Sequence, residues 1–137
     1  MNGVTRGSLR LSIVSTAKYF VPFMISGFSK LYHNIEITLS IGNRQEIGVA
    51  LRGYDLDFAI MGRPPADIDM NVHLIGDHPH VLIAPTAHRL ARKSRIPLSE
   101  LAGETFLTRE PGSGTRGLME QLFESAGIRP KIGFAMS

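Results

Sequence analysis

The sequence predicts an α/β fold made of two lobes on parallel sheets, with the second lobe incomplete in this chain. Three observations carry that expectation. Apolar residues alternate with a period of two, give way to helical spacing, and repeat this change over about 60 residues, the pattern of a βαβαβ unit with right-handed crossovers. A third strand candidate, "LDFAIMG", is apolar from Phe58 to Met61, as in a strand covered on both faces. From Pro97 a shorter run of the same pattern starts afresh. The expected division is residues 1–82 as the first lobe, 83–96 as a hinge strand and connector, and 97–137 as a partial second lobe.

In order along the chain, Leu9, Leu11 and Ile13 alternate with Arg10 and Ser12, which marks a strand over Ser8 to Ser15. In "STAKYFVPFMISGFSKLYHN" the stripe Phe20, Phe23, Met24, Gly27, Phe28, Leu31 predicts an amphipathic helix starting near Thr16 or Lys18, so that Pro22 stays near its first turn. Ile35, Ile37, Leu39 and Ile41 alternate in a second strand. Asn43 and Glu46 have capping-box spacing for a helix that buries Ile47, Ala50 and Leu51 and stops at Gly53. After the third strand, "RPPADID" is a turn-rich break, and "VHLIGDHPHVLIAP" reads as two extended pieces. "TAHRLARKSR" reads as a solvated basic connector. "LSELAGE" is a short helix, "TFLTR" a strand, "RGLMEQLFESAG" a helix with Leu118, Leu122 and Phe123 inward, and "RPKIGFAMS" a last strand.

Composition narrows the chemistry. With 43% hydrophobic and 20% charged residues the chain has the make-up of a globular protein, and a formal charge of +3 suits a small anion as well as nucleic acid. There is no cysteine, which excludes disulfides, thiol nucleophiles and thiolate zinc sites. No apolar run approaches the roughly 20 residues of a membrane helix, and "MNGVTRGSLR" lacks the apolar core of a secretory signal, so the expected setting is cytoplasmic, with no membrane partner.

Open parallel sheets receive ligands at the carboxyl ends of their strands, where helix N-termini direct free N–H groups. Ser15 and Thr16 follow the first strand, Gly42 and Asn43 the second, and Gly62 and Arg63 the third. In the second lobe "TREPGSGTRG" links a strand to a helix and offers Thr108, Arg109, Ser113, Thr115 and Arg116. A carboxylate or phosphate there gains dipole attraction and charge-assisted hydrogen bonds. Taken singly, the hydroxyl residues and Asn43 are also the types that cap helices. Enzyme chemistry finds less support. The glycine turn lacks the lysine of a P-loop, no acidic residue follows at dinucleotide-fold spacing, and "EPGSG" is a poor nucleophile elbow. His78 and His80 should point to opposite faces of an extended segment with no third ligand nearby, so no metal and no cofactor are expected. Asp55 and Asp57 read as loop residues.

The segments "GSLRLSIVSTAKYFVPFMISGFSKLYHNIEITLSIGNRQEIGVALRGYDLDFAIMG", "HVLIAPTAHRLA" and "IPLSELAGETFLTREPGSGTR" together closely resemble the regulatory domain of LysR-type transcriptional regulators. Within that family they look most like the branch controlling RuBisCO and other Calvin-cycle operons. The resemblance implies a type 2 periplasmic-binding-protein-like fold: two Rossmann-like lobes with an effector in the cleft between them. It implies a homodimer or higher homo-oligomer, and DNA contact only through a helix-turn-helix domain upstream of this chain. The family's first-lobe cleft positions fall on Ser15, Thr16, Met61 and Gly62, with Arg63 beside them. Its second-lobe positions fall on Thr108, Arg109, Ser113, Thr115 and Arg116. The first long helix and second strand match the dimerisation surface. Implied effectors are small anionic metabolites of the sugar phosphate, phosphoenolpyruvate or NADPH class. The alternative reading is a transporter's solute-binding protein of the same fold; an enzyme on that fold is the weakest reading.

Overall fold

The computed structural model describes residues 6–137; residues 1–5, which the expected first lobe includes, lie outside the described residues. The chain divides into two compact units, Met1–Leu74 and Ile75–Ser137. Each has its own parallel sheet and its own core.

In the first unit, β1 (Gly7–Val14) pairs along its whole length with β2 (Ile35–Gly42), from Gly7 opposite Ile35 to Val14 opposite Gly42. On its other side β1 pairs with the short β3 (Phe58–Ile60), so the order is β2-β1-β3. The alternation in β1 sends Leu11 and Ile13 into the core, where they meet Ala17 and Val21, with Val14, Ile25 and Ile60 packed around them. Full burial of side chains such as Ile13 and Val21 stabilises by about 1.5–3 kcal/mol each.

The helix after β1 differs from its expected form in two ways. Residues Ser15–Tyr19 wind as a 3-10 turn, and α1 spans Val21–Leu31. Pro22 is the reason: a helix begun at Thr16 would ask it for an N–H it lacks, whereas in the first turn of α1 that N–H is not needed. The helix is also rotated by about one residue. Val21 is buried and Ile25 packs beside it, while Phe20, Phe23, Met24 and Leu31 of the expected inward stripe are exposed. Phe58 in β3 is likewise exposed, so β3 is not covered on both faces.

The second helix, α2 (Arg44–Arg52), forms as its capping box predicts. Asn43 Oδ1 accepts from the Glu46 N–H at 3.0 Å, and Glu46 Oε2 accepts from the Asn43 N–H at 2.8 Å. Its other end is unusual. The Asp55 N–H donates to the Ala50 carbonyl (2.9 Å) and the Tyr54 N–H to that of Leu51 (3.2 Å), the two bonds of a Schellman motif. The left-handed position falls on Tyr54 (φ 57°), not on Gly53, which is right-handed at φ −79°. Arg10 holds the strained turn by donating to the Tyr54 carbonyl at 3.1 Å. A glycine at this position relieves the Cβ clash but frees the unfolded chain. Tyr54→Gly is therefore expected to raise the unfolding free energy by roughly 0.5–1 kcal/mol. Urea denaturation of the two proteins side by side measures it.

In the second unit, β4 (Thr105–Arg109) pairs in parallel with β5 (Lys131–Met136). The ladder slips between Phe106 and Leu107, whose partners are Ile132 and Phe134, which leaves Gly133 as the extra residue. A Cβ there would stand 2.6 Å from Thr105 Cγ2, so a side chain at this position would make the exposed Thr105 turn aside. Between the strands runs α3 (Gly114–Ser125). It ends in a second Schellman motif, with Gly127 at φ 68° and the Ile128 N–H on the Phe123 carbonyl at 2.9 Å. The core joins Leu90, Leu101 and Phe123, with Ile96, Leu98, Phe106, Met119 and Ile128 against it. Phe123 faces the core as expected, with Met119 one turn before it, whereas Leu118 and Leu122, expected beside it, are exposed.

The basic stretch "HRLARKSR" is largely exposed but is anchored to the unit at several points. Leu90 is buried in this core, Arg89 and His88 share the carboxylate of Glu104, and Lys93 donates to Glu100 at 2.6 Å. The Arg89 hydrogen bond, reinforced by that of His88, holds the Glu104 carboxyl below its usual range. The segment "LSELAGE" shortens to a 3-10 turn, Leu98–Leu101. "VHLIGDHPHVLIAP" forms no strand among the described residues, because no neighbour completes a hydrogen-bonded ladder with it.

Candidate functional site

In the first unit the chain leaves β1 for β2 on one side and returns to β3 on the other, so the order reverses between β1 and β3. That reversal opens a crevice at the carboxyl ends of the two strands. Because Ile13 lies opposite Ile60, the residues that follow, Val14–Ser15 and Met61–Gly62, leave the sheet side by side. Ser15 and Met61 are half-buried; Thr16, Gly62 and Arg63 are exposed. A Cβ added at Gly62 would meet no heavy atom within 4 Å, so open space lies before its backbone. Ser15 and Thr16 do not act as helix caps: the cap of the 3-10 turn is Val14, with no side-chain bond.

The loop that carries Arg63 is pinned to α2 at three points. Arg44 Nε donates to the Arg63 carbonyl at 3.1 Å, and Arg52 donates to both carboxylate oxygens of Asp67 at 2.8 and 2.9 Å. Between these, Pro65 is buried close to Gly48; a Cβ on Gly48 would stand in ordinary contact with its ring, at 3.7 Å. The Arg52 hydrogen bonds lower the Asp67 pKa. Arg44 thus stands at the same edge as Arg63, and periodicity gave no sign of it, since a residue at the start of a helix reads as an ordinary solvated cation.

In the second unit Thr108, Arg109, Ser113, Thr115 and Arg116 gather around the junction of β4 and α3. Thr108 is 7% exposed and donates its hydroxyl to the Arg109 carbonyl at 2.7 Å. The chain then turns over Glu110–Ser113, closed by the Ser113 N–H on the Glu110 carbonyl at 3.2 Å. Pro111 in the second place and Gly112 at φ 89° in the third are the pattern of a type II turn. Ser113, also 7% exposed, is the N-cap residue of α3, yet its side chain makes no cap hydrogen bond. Thr115 is exposed, and its hydroxyl lies 3.4 Å from His80 Nε2.

The two arginines are engaged with carboxylates of their own unit. Arg109 grips Glu110 with Nε at 2.8 Å and a terminal nitrogen at 3.0 Å, in a two-pronged pair. Arg116 donates from Nε to Glu120 at 2.7 Å and from a terminal nitrogen to the Arg109 carbonyl at 3.4 Å. Glu120 was readable from its i+4 spacing; Glu110 was hidden by being next to its partner in the sequence.

His78 and His80 do not point apart. With Pro79 between them and no strand to impose alternation, their rings lie 4.7 Å centroid to centroid. Among the described residues no three histidine, aspartate or glutamate side chains are grouped to hold a metal ion. No described helix is long and apolar enough to cross a membrane.

Comparison with known proteins agrees with this architecture. The chain is 50% identical over 123 residues to the HTH-type transcriptional regulator CbbR of Xanthobacter flavus, covering 89% of this chain and 37% of that protein. It is 42% identical to CbbR of Rhodospirillum rubrum over 137 residues, 100% of this chain and 45% of the relative. It therefore spans less than half the length of these relatives. Among solved structures, the CcmR regulatory domain of Synechocystis PCC6803 in complex with 2-PG matches with a TM-score of 0.87 at 36% identity, over 96% of this chain and 64% of that one. The effector-binding domain of QuiR, bound to shikimate, shares the fold alone, with a TM-score of 0.81 at 24% identity over 96% of this chain and 65% of that one. The expected type 2 periplasmic-binding-protein-like α/β fold and the resemblance drawn from sequence both hold. The LysR substrate binding domain matches residues 2–137, and the chain belongs to that family.

Proposed function

We propose that this chain is the sensing part of a transcriptional regulator of carbon-fixation genes, and that it binds a small phosphorylated or carboxylated metabolite without transforming it. The observation that carries the reading is the junction over Thr108–Arg116. Here a buried strand end, a type II turn and the start of a twelve-residue helix gather three hydroxyls and two guanidinium groups in one place. A helix N-terminus adds roughly 0.3–1 kcal/mol toward an anion, and a hydrogen bond to a charged group about 1.5–3 kcal/mol. Ser15, Thr16, Met61, Gly62 and Arg63 are the first unit's candidate contacts to such a ligand. The site residues offer hydroxyls, guanidinium groups and backbone N–H donors but no paired acid and base, which favours sensing over catalysis.

The CcmR domain, solved with 2-PG, directs the choice of ligand toward 2-phosphoglycolate and related metabolites. Binding shifts the population between two arrangements of the regulator, and a DNA-binding domain elsewhere in the protein reads the difference in the cytoplasm. Self-association fits the exposed apolar residues Phe23 and Leu31 on α1 and Leu39 and Ile41 on β2, which is also an unpaired sheet edge among the described residues. Calorimetric titration of the intact protein with 2-phosphoglycolate, phosphoenolpyruvate, ribulose bisphosphate and NADPH tests the reading. At least one is expected to bind with micromolar or tighter affinity. Silence from the whole panel, in protein shown to be folded, contradicts it.

A further inference from the structure

The two-pronged pair between Arg109 and Glu110 has a bearing on how tightly an anion is held. Glu110 is fixed through its main chain on both sides: its N–H donates to the Met136 carbonyl at 2.9 Å, and its carbonyl accepts from Ser113 at 3.2 Å. The Arg109 carbonyl is held as well, by the Thr108 hydroxyl and by Arg116. Between these anchored backbones the side chains close a fork at 2.8 and 3.0 Å, and they are only about a quarter exposed. A guanidinium presents this fork to a carboxylate or phosphate in the same planar geometry. An incoming anion that uses this face of Arg109 must displace Glu110.

We propose that Glu110 is a built-in counter-anion that competes with the effector for Arg109 and so sets the affinity of the site. The inference rests on the proposed anion-binding role of the Thr108–Arg116 junction and adds a residue that does not belong to the ligand's own contacts. The pair keeps a half-buried guanidinium satisfied. On binding, the carboxylate leaves Arg109 while the turn, closed through the Glu110 main chain, stays in place. The apparent affinity is lower than the intrinsic one by the fraction of molecules in which the fork is open. A pair of this exposure corresponds to a factor of up to about five.

The test is a double-mutant cycle on the intact protein, titrated by calorimetry with 2-phosphoglycolate and, separately, with inorganic phosphate. Glu110→Gln is expected to tighten both by about two- to five-fold, and Glu110→Asp, too short to close the fork, to tighten them in the same direction. Arg109→Gln is expected to weaken both, and in that background Glu110→Gln to change nothing. Thermal unfolding of each variant verifies that the turn survives. If Arg109→Gln weakens binding but Glu110→Gln leaves it unchanged or weaker, the counter-anion is refuted and the site stands. Tightening that persists in the Arg109→Gln background refutes it too, since it then reflects only the loss of a negative charge. If Arg109→Gln itself has no effect, the assignment of the second-unit site falls along with the inference.

Discussion

Phe123→Ala is expected to remove about 3–5 kcal/mol from the stability of the second unit, enough to leave much of it unfolded at room temperature. Phe123 is 1% exposed and among the largest fully buried side chains described. Its ring meets the edge of Phe106 on β4 at a centroid distance of 5.2 Å and an interplanar angle of 70°. Its carbonyl also accepts the closing bond of the Schellman motif from Ile128, whose side chain packs on the same cluster. One residue thus joins helix, strand and the turn into β5. Truncation leaves a cavity that a core of three buried side chains has little means to refill. Hydrogen exchange locates the effect: amides of β4 and α3 lose protection, whereas those of β1, which rest on the separate Ile13 cluster, keep theirs. Phe123→Leu, nearer in volume, is expected to lose well under half as much.

Arg116→Ala is expected to weaken effector binding by roughly ten- to hundred-fold, the equivalent of one charge-assisted hydrogen bond. The side chain is 19% exposed, so it is held close to the protein rather than waving in solvent. Its Nε is satisfied by Glu120 and a terminal nitrogen braces the Arg109 carbonyl. Pairs of this exposure add little to stability, so the substitution should move the unfolding midpoint only slightly while it removes affinity. Calorimetry beside a thermal melt separates the two effects. Arg116→Lys keeps the charge but not the planar donors, and is expected to restore only part of the binding. Unaltered affinity for every ligand that binds the native protein would move the site away from this junction.

Most of the architecture was legible in the sequence, and the reasons are local. Leu9, Leu11 and Ile13 alternate cleanly, so β1 was found to within a residue. Asn43 and Glu46 form a capping box whose chemistry acts over three residues, and it appeared as read. The misreadings share a cause. Where a helix has apolar residues on adjacent stripes, spacing reveals the helix but not which stripe turns inward. Phe23 and Met24 gave way to Val21 and Ile25 in α1; in α3 the expected Phe123 is buried, but its companion is Met119 and not Leu118 or Leu122. That choice belongs to tertiary packing.

The anchors of the basic stretch were not legible for a related reason: Arg89 and Lys93 stay exposed, but Glu100 and Glu104, distant in the alternation pattern, fold beside them. Tyr54 in a left-handed conformation was invisible because glycine stood one position earlier and is the residue that conformation ordinarily selects. In the proposed site, the strand-end residues follow from topology, since open parallel sheets receive ligands where the strand order reverses. Of the carboxylates paired with its arginines, Glu120 stands at i+4 from Arg116 and was open to the same reading, whereas Glu110 was hidden beside Arg109.

An anion held at the Thr108–Arg116 junction should be visible in crystals of the intact protein grown with 2-phosphoglycolate. Difference density is expected in contact with Arg109 or Arg116. Well-defined ligand density bound elsewhere, with both arginines untouched, would contradict this reading.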